Sequence, residues 1–538
     1  MVAGFGTSGA LTTTYTLDGQ GAATTTADGL GDSTRAGYDA DHDVLTSTDA
    51  NGNTTTYAYQ YAGSSGSVGL LTQTVLPAVA LYVPGNTPVT STITNRYQTG
   101  TYNLLETDKP EGGVTLYAYD GGHSVVTTTM LASDQGNSFC HNSIVRPPGA
   151  PVVQPLGTCS YVQQWRASVN RYDQYGERTS TIDGRGFVPA SLRTTSADGS
   201  VVPPTPQLDP VQAPLYTRTD AYTLKGDLQS ESTPPLTTTL NSVTTTGPVT
   251  TTYGYDGDGN QTSVTSANGN TTTTAYDHLG RQVSTTLPRV TLYDGSSATP
   301  TSSTGYDADG NVIRSSNANG ETTTSSYDPW QRLVASTNPV SGTTLYTYTA
   351  TEQVATRDPQ GNVTQSAYDA AGRLTLTTDP SNNTTQDQYD AVGNTVAITG
   401  GTAGSATSVE TRSYDARNEV ATDTTSGPSL VTPLTTQTNY DGDGNVAQVE
   451  QPNGDTVYNL YDLTDLPLST QIDPSPVGKS QAQQAPTYET SSYDAAGNQV
   501  SHRGQPHRQH HAGRRQPHGA GRGDRARPRR DHYHHQQL

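Results

Sequence analysis

Tyr255-Asp256-Gly257-Asp258-Gly259-Asn260-Gln261-Thr262-Ser263-Val264-Thr265-Ser266-Ala267-Asn268-Gly269-Asn270-Thr271-Thr272-Thr273-Thr274-Ala275-Tyr276-Asp277 holds the unit from which most of the chain is built. A Tyr-Asp pair opens it, a Gly-Asn turn follows, a second Gly turn comes ten residues later, and a Thr-rich run leads into the next Tyr-Asp. Fourteen Tyr-Asp pairs begin at Tyr38, Tyr119, Tyr172, Tyr255, Tyr276, Tyr293, Tyr306, Tyr327, Tyr368, Tyr389, Tyr414, Tyr440, Tyr461 and Tyr493. Four pairs of neighbours, such as Tyr255 and Tyr276, stand 21 residues apart, and a fixed period of this length means an array.

Each unit reads as two short strands and two turns. Asp, Asn and Gly supply the positive backbone angles and local hydrogen bonds of tight turns, while Thr, Val and Tyr suit a pleated sheet. Within Thr271 to Tyr276, the period of two puts Thr272, Thr274 and Tyr276 on one face. No long stretch repeats apolar residues at helical spacing, and Thr and Gly are weak helix formers. The expectation is an all-β chain of tandem antiparallel β-hairpins.

Hydrophobic residues make up 31% of the 538, and 32 of the 37 aromatic residues are Tyr. Tyr joins an apolar ring to a hydroxyl that needs a partner, so its regular recurrence fits a thin sheet with a wet second face better than a dry two-layer core. The net charge is -20; residues 501–538 carry nine Arg and two Asp, which leaves -27 on residues 1–500. An acidic body argues against nucleic acid as its ligand. No apolar run of about 20 residues is present and no charged-then-apolar leader follows Met1, so the sequence predicts no membrane span, and export is either signalled elsewhere or encoded upstream of a missing N-terminus.

Four segments emerge: degenerate repeats over 1–132, a Pro-rich insert with one Tyr-Asp unit over 133–250, the regular array over 251–500, and a basic His/Arg-rich tail over 501–538. Pro cannot donate to a strand ladder, so the insert predicts loops and edge strands. Cys140 and Cys159 both fall there; a disulfide and two free thiols stand equally open. The tail begins abruptly after Asp494-Ala495-Ala496-Gly497-Asn498, in mid-repeat, and is expected to be disordered or a frameshift product, with basic binding to nucleic acid or a membrane surface as the alternative. His510, His511, His532, His534 and His535 lack the spacing of a metal set.

The turn Asp256-Gly257-Asp258-Gly259-Asn260 begins like a calcium loop, but Gln261 and Ala267 stand where an EF-hand needs Gly and Glu, so turn formation accounts for its carboxylates. His42, His123, His141 and His278 stand singly in the body, without the nucleophile and carboxylate that a catalytic triad needs. His278 occupies a free position of a repeat turn, which predicts an exposed residue. No catalytic, cofactor-binding or metal-binding residue is assigned, and the chain is expected not to be an enzyme and to need no cofactor.

The units Tyr368-Asp369-Ala370-Ala371-Gly372-Arg373-Leu374 and Tyr389-Asp390-Ala391-Val392-Gly393-Asn394-Thr395 resemble the RHS/YD repeat family. The resemblance covers about residues 250–500 well and 30–130 loosely. It implies a spiralling β-sheet or partial shell, of the kind found in bacterial toxins, wall-associated proteins and teneurins. It further implies a non-enzymatic scaffold, secreted or at the cell surface, that encloses or presents a C-terminal toxin domain in interbacterial competition. That toxin domain is absent from this sequence, which reads as a piece of a larger protein. The alternative is an adhesin whose partner is a cell-surface or cell-wall carbohydrate.

Overall fold

The computed structural model describes residues 2–3, 11–62, 68–79, 88–110, 113–119, 125–135, 161–187, 194–195, 201–202, 208–240, 243–402, 405–462, 464–475, 487–493 and 496–504. Cys140, Cys159, His123, His141 and all of the tail beyond Gly504 lie outside them.

One antiparallel sheet runs from strand Thr14–Leu17 to strand Gln499–Gly504, each strand pairing with the one before and the one after it. Among the described residues its two end strands pair on one side only, at Thr14↔Ala27 and Glu489↔Gly504, so the sheet is open. The nearly all-β, antiparallel architecture is the one that the repeat pattern predicts. In strand Thr271–Tyr276, Thr272, Thr274 and Tyr276 are partly buried while Thr273 and Ala275 are exposed, as the period of two requires. Gly259 and Gly269 adopt φ values of 90° and 81°, which turns of this tightness ask of a residue without a Cβ.

Sheet pairing continues through part of the Pro-rich segment. Tyr161–Tyr172, Arg178–Ile182, Thr217–Tyr222 and Leu228–Ser232 all take places in the ladder. Between Ile182 and Thr217 the chain leaves the sheet through two 3-10 turns, Gly184–Gly186 and Ala213–Tyr216. Ile182, Phe187 and Ala213 bury one another there, with Val169 and Leu208 packed alongside. One Tyr-Asp pair is not a repeat turn of the sheet: Tyr293 projects fully exposed from the side hairpin formed by Val290–Thr291 and Ser297–Ala298. The dipeptide alone does not separate it from the others, because both settings are tight turns.

Hairpins alternate, so the sheet has two rims. One carries the Tyr-Asp turns and the other carries the second turns. About 340 residues on, the sheet comes back alongside itself, second-turn rim against Tyr-Asp rim. Asn51 Nδ2 donates to Asp390 Oδ2 at 2.9 Å across 339 residues of sequence, and Lys109 Nζ pairs with Asp465 across 356. At Gly29 the approach is closer still, since a Cβ there would stand 2.2 Å from the carbonyl oxygen of Ala370. This is the return of a spiralling sheet, and it creates a seam between two layers of hairpin tips.

Candidate functional site

The Tyr-Asp turn is the constructive element. Asp256 Oδ1 accepts the backbone N–H groups of Asp258 and Asn260 at 3.0 and 2.9 Å, while Oδ2 accepts Asn260 Nδ2 at 2.9 Å. One carboxylate thus closes the whole turn. The Asn260 amide, aided by the backbone N–H groups, holds Asp256 below the usual carboxylate range. Its oxygens are occupied by the turn itself, which is the turn-forming role that the sequence assigns to them.

Immediately before the turn Asp, a bulge at the Tyr re-aims the ring: pairing shifts between Gly254 and Tyr255, and again between Ala275 and Tyr276. Tyr276 OH then donates to the carbonyl of Gln261, fifteen residues back, at 2.9 Å. Tyr38, Tyr119, Tyr327, Tyr348, Tyr368, Tyr389 and Tyr461 make the same bond at the same sequence distance. The expected hydroxyl partner is therefore main chain, on the directly paired neighbouring strand.

Three units replace the Asn at the fifth turn position with Arg. Arg281, Arg332 and Arg373 each donate Nε to their own turn Asp at 2.7, 2.8 and 2.7 Å. Each also reaches the next turn on the same rim, where Nη1 meets the carbonyls of Asp307, Thr349 and Asp390, and each guanidinium lies over the following ring of Tyr306, Tyr348 or Tyr389. These arginines clasp one hairpin tip to the next through charge, hydrogen bond and ring face together.

The turn Asp415-Ala416-Arg417-Asn418-Glu419 departs from both patterns. Glu419 takes the fifth position and the arginine has moved to the third. Arg417 still reaches forward, with Nη1 3.1 Å from the carbonyl oxygen of Gly442 and Nη2 3.2 Å from that of Asp441, but its Nε finds no hydrogen-bond partner. Glu419 Oε2 lies 3.6 Å from that Nε and is also buried without a hydrogen bond. Burial foremost, then the neighbouring Asp415, pushes the Glu419 carboxyl up to about 7 against the opposing pull of Arg417.

This turn sits in the seam. A cleft of about 380 Å³ opens there, bordered by Ser47, Asp49, Asn53 and Leu76 of one layer and by Arg417, Asn418, Glu419 and Asp443 of the other. Sequence reading missed this site because its elements are separated by more than 300 residues; the one available signal was the Glu at a position that many of the other units give to Asn or Arg. Turns at Thr223 and Thr349 were missed too, since Thr replaces Asp: Thr223 Oγ accepts the N–H groups of Lys225 and Asp227 in the Asp manner. His278 is exposed on its turn, while His42 Nε2 approaches Asp18 Oδ2 at 3.4 Å.

Fold and rim together define a hairpin-repeat scaffold in which several tips are tied to the next. The RHS Repeat family model matches residues 38–77, 255–289, 306–343 and 352–384, as the Tyr-Asp units led one to expect. Crystal structures of TcdB2-TccC3, complete and without the hypervariable C-terminal region, are similar over 92% and 93% of this chain, at 13% and 12% identity and TM-scores of 0.38 and 0.39. The Photorhabdus luminescens Tc holotoxin pore is similar over 93%, at 13% identity and a TM-score of 0.33. The chain spans about a third of the length of these chains, 32%, 34% and 34% respectively. No curated protein matches the chain in sequence. Among the described residues, no helix is long and apolar enough to cross a membrane.

Proposed function

We propose that the chain is a non-enzymatic wall segment of a secreted or surface-exposed RHS shell that encloses or presents a C-terminal toxin domain in competition between bacteria. The observation that carries this reading is the seam, where Asn51 meets Asp390 and Lys109 meets Asp465. A sheet that returns on itself and locks tip to tip builds a continuous wall, which is what containment asks of a scaffold. The test is limited proteolysis of the complete gene product. A C-terminal domain that resists protease until the shell is denatured supports containment; one that is cleaved from the native protein at once overturns it.

A second reading rests on the uncovered tips. Tyr175 and Trp330 stand 78% and 75% exposed at the turns of one rim, and aromatic faces of this kind stack on sugar rings. Glycan binding that is lost in a Trp330→Ala variant would favour a carbohydrate-binding adhesin; no binding across a panel of cell-wall glycans would remove that alternative.

A further inference from the structure

We propose that the Asp415–Glu419 carboxyl pair is a proton-operated catch on the seam: protonated, it holds the hairpin tip against the overlying layer, and ionised, it drives the tip away. The proposal goes beyond the scaffold reading and stands whether or not a toxin is enclosed.

Position five of the repeat turn shows why. In units such as those opened by Tyr389 and Tyr368 it supplies a donor to the turn Asp, an Asn amide from Asn394 or a guanidinium from Arg373. A glutamate can make that contact only while it carries a proton, since two ionised carboxylates have no donor between them. The surroundings leave the charge poorly answered. Asp443 faces the cleft from the next turn, whose Asp441 also repels the Glu419 charge, Asp49 faces it from the overlying hairpin, and Arg417 is the cation in its lining. Arg417 is committed to the carbonyls of Gly442 and Asp441, and only 7% of its side chain is exposed. Glu419 is wedged besides: a Cβ at Gly444 would stand 2.8 Å from its Oε1, so the carboxyl lies against the next turn. Rotation of Glu419 toward water is blocked on that side. The strain of a second negative charge is relieved by separating the layers, and the released proton goes to solvent.

The chain contains its own control. Asp173 and Glu177 form the same pair, and a Cβ at Gly226 would likewise stand 2.8 Å from Glu177 Oε1. That turn is not one of those that border the cleft, and its tip residue Tyr175 is exposed. Ionising Glu177 therefore has no seam to open. The raised affinity of Glu419 for its proton places the change near neutrality. The Glu419→Gln variant, and not the pH profile alone, identifies the group.

The experiment is hydrogen exchange by mass spectrometry on peptides covering 47–55 and 441–445, from pH 5.5 to 8.5, corrected for intrinsic rates. In the wild type, exchange at the seam rises by up to about two orders of magnitude with a midpoint near 7. Glu419→Gln, which keeps a donor at every pH, stays protected throughout, and Glu177→Gln retains the wild-type profile. A flat wild-type profile, or a Glu419→Gln profile that still follows pH, overturns the proposal. Should Glu419→Gln fail to fold, Asp415→Asn takes its place: it preserves the turn acceptor, removes the opposing charge and must flatten the profile in the same way.

Discussion

The hydroxyl of Tyr389 donates to the carbonyl of Leu374 at 2.7 Å, while the guanidinium of Arg373 lies 5.0 Å from the centre of the same ring. One tyrosine thus ties together the first strand of one unit, the turn that opens that unit and the turn that opens the next. Tyr389→Phe removes the hydroxyl bond and leaves the ring in place, at a cost of about 1 kcal/mol. At Tyr306, whose equivalent bond to Gln282 is exposed, the same change costs less because water replaces the lost donor. Hydrogen exchange of the strand Leu374–Thr378 compared with Gln282–Thr286 reads the two local effects separately, which global melting of a repeat array would mix.

Arg373 is expected to tolerate Asn better than Ala. Its Nε bond to Asp369 is the one that Asn394 supplies to Asp390 in the next unit, so Arg373→Asn keeps the turn closed and loses only the reach to the Asp390 carbonyl and the ring contact. Arg373→Ala loses all three and costs about 1–2 kcal/mol. Chemical denaturation of both variants checks the order. Equal losses would mean that the clasp between tips, rather than the turn, carries the energy.

Acid should loosen the whole array. Asn260, Asn311, Asn362 and Asn383 amides, ahead of backbone N–H groups, hold Asp256, Asp307, Asp358 and Asp379 below the ordinary value of 3.8. A carboxyl whose folded value is depressed contributes stability that is present above the unfolded value and is lost as pH falls through the folded one. Stability is therefore flat in these groups at neutral pH and declines once pH drops below about 4. Circular dichroism melts from pH 6 to 2 measure this; a melting temperature that holds to pH 2 would show that the turns do not depend on ionised Asp.

Glycine at position 29 is a requirement of the seam and not of its own turn. Gly29→Ala places a methyl 2.2 Å from the Ala370 oxygen, and backbone on the opposite layer must yield, at on the order of 1–3 kcal/mol. Gly19, which no heavy atom would crowd within 4 Å and whose φ is not positive, should accept Ala with little change. Protease nicking near residue 370 in Gly29→Ala but not in Gly19→Ala would locate the damage at the seam.

Much of the site was legible at the level of the single unit. Asp256, Gly259 and Asn260 announce a closed turn because their bonds run between near neighbours, and Thr272, Thr274 and Tyr276 announce a face because strand geometry fixes it. The Tyr-Asp dipeptide also misled once, at Tyr293, and passed over Thr223, whose hydroxyl does the work of Asp. A search by residue name fails where two residue types share one hydrogen-bonding role.

By itself the sequence determined the hairpin, its turn chemistry and the all-β class, because each rests on interactions between residues at most a few turns apart. Only the tertiary structure decided which tips meet. The pairing of Asn51 with Asp390 across 339 residues follows from the twist accumulated strand by strand, and no local period encodes that sum. The place of Glu419 on the seam cleft follows from it as well: the same Asp-to-Glu turn exists at Glu177, which does not border the cleft.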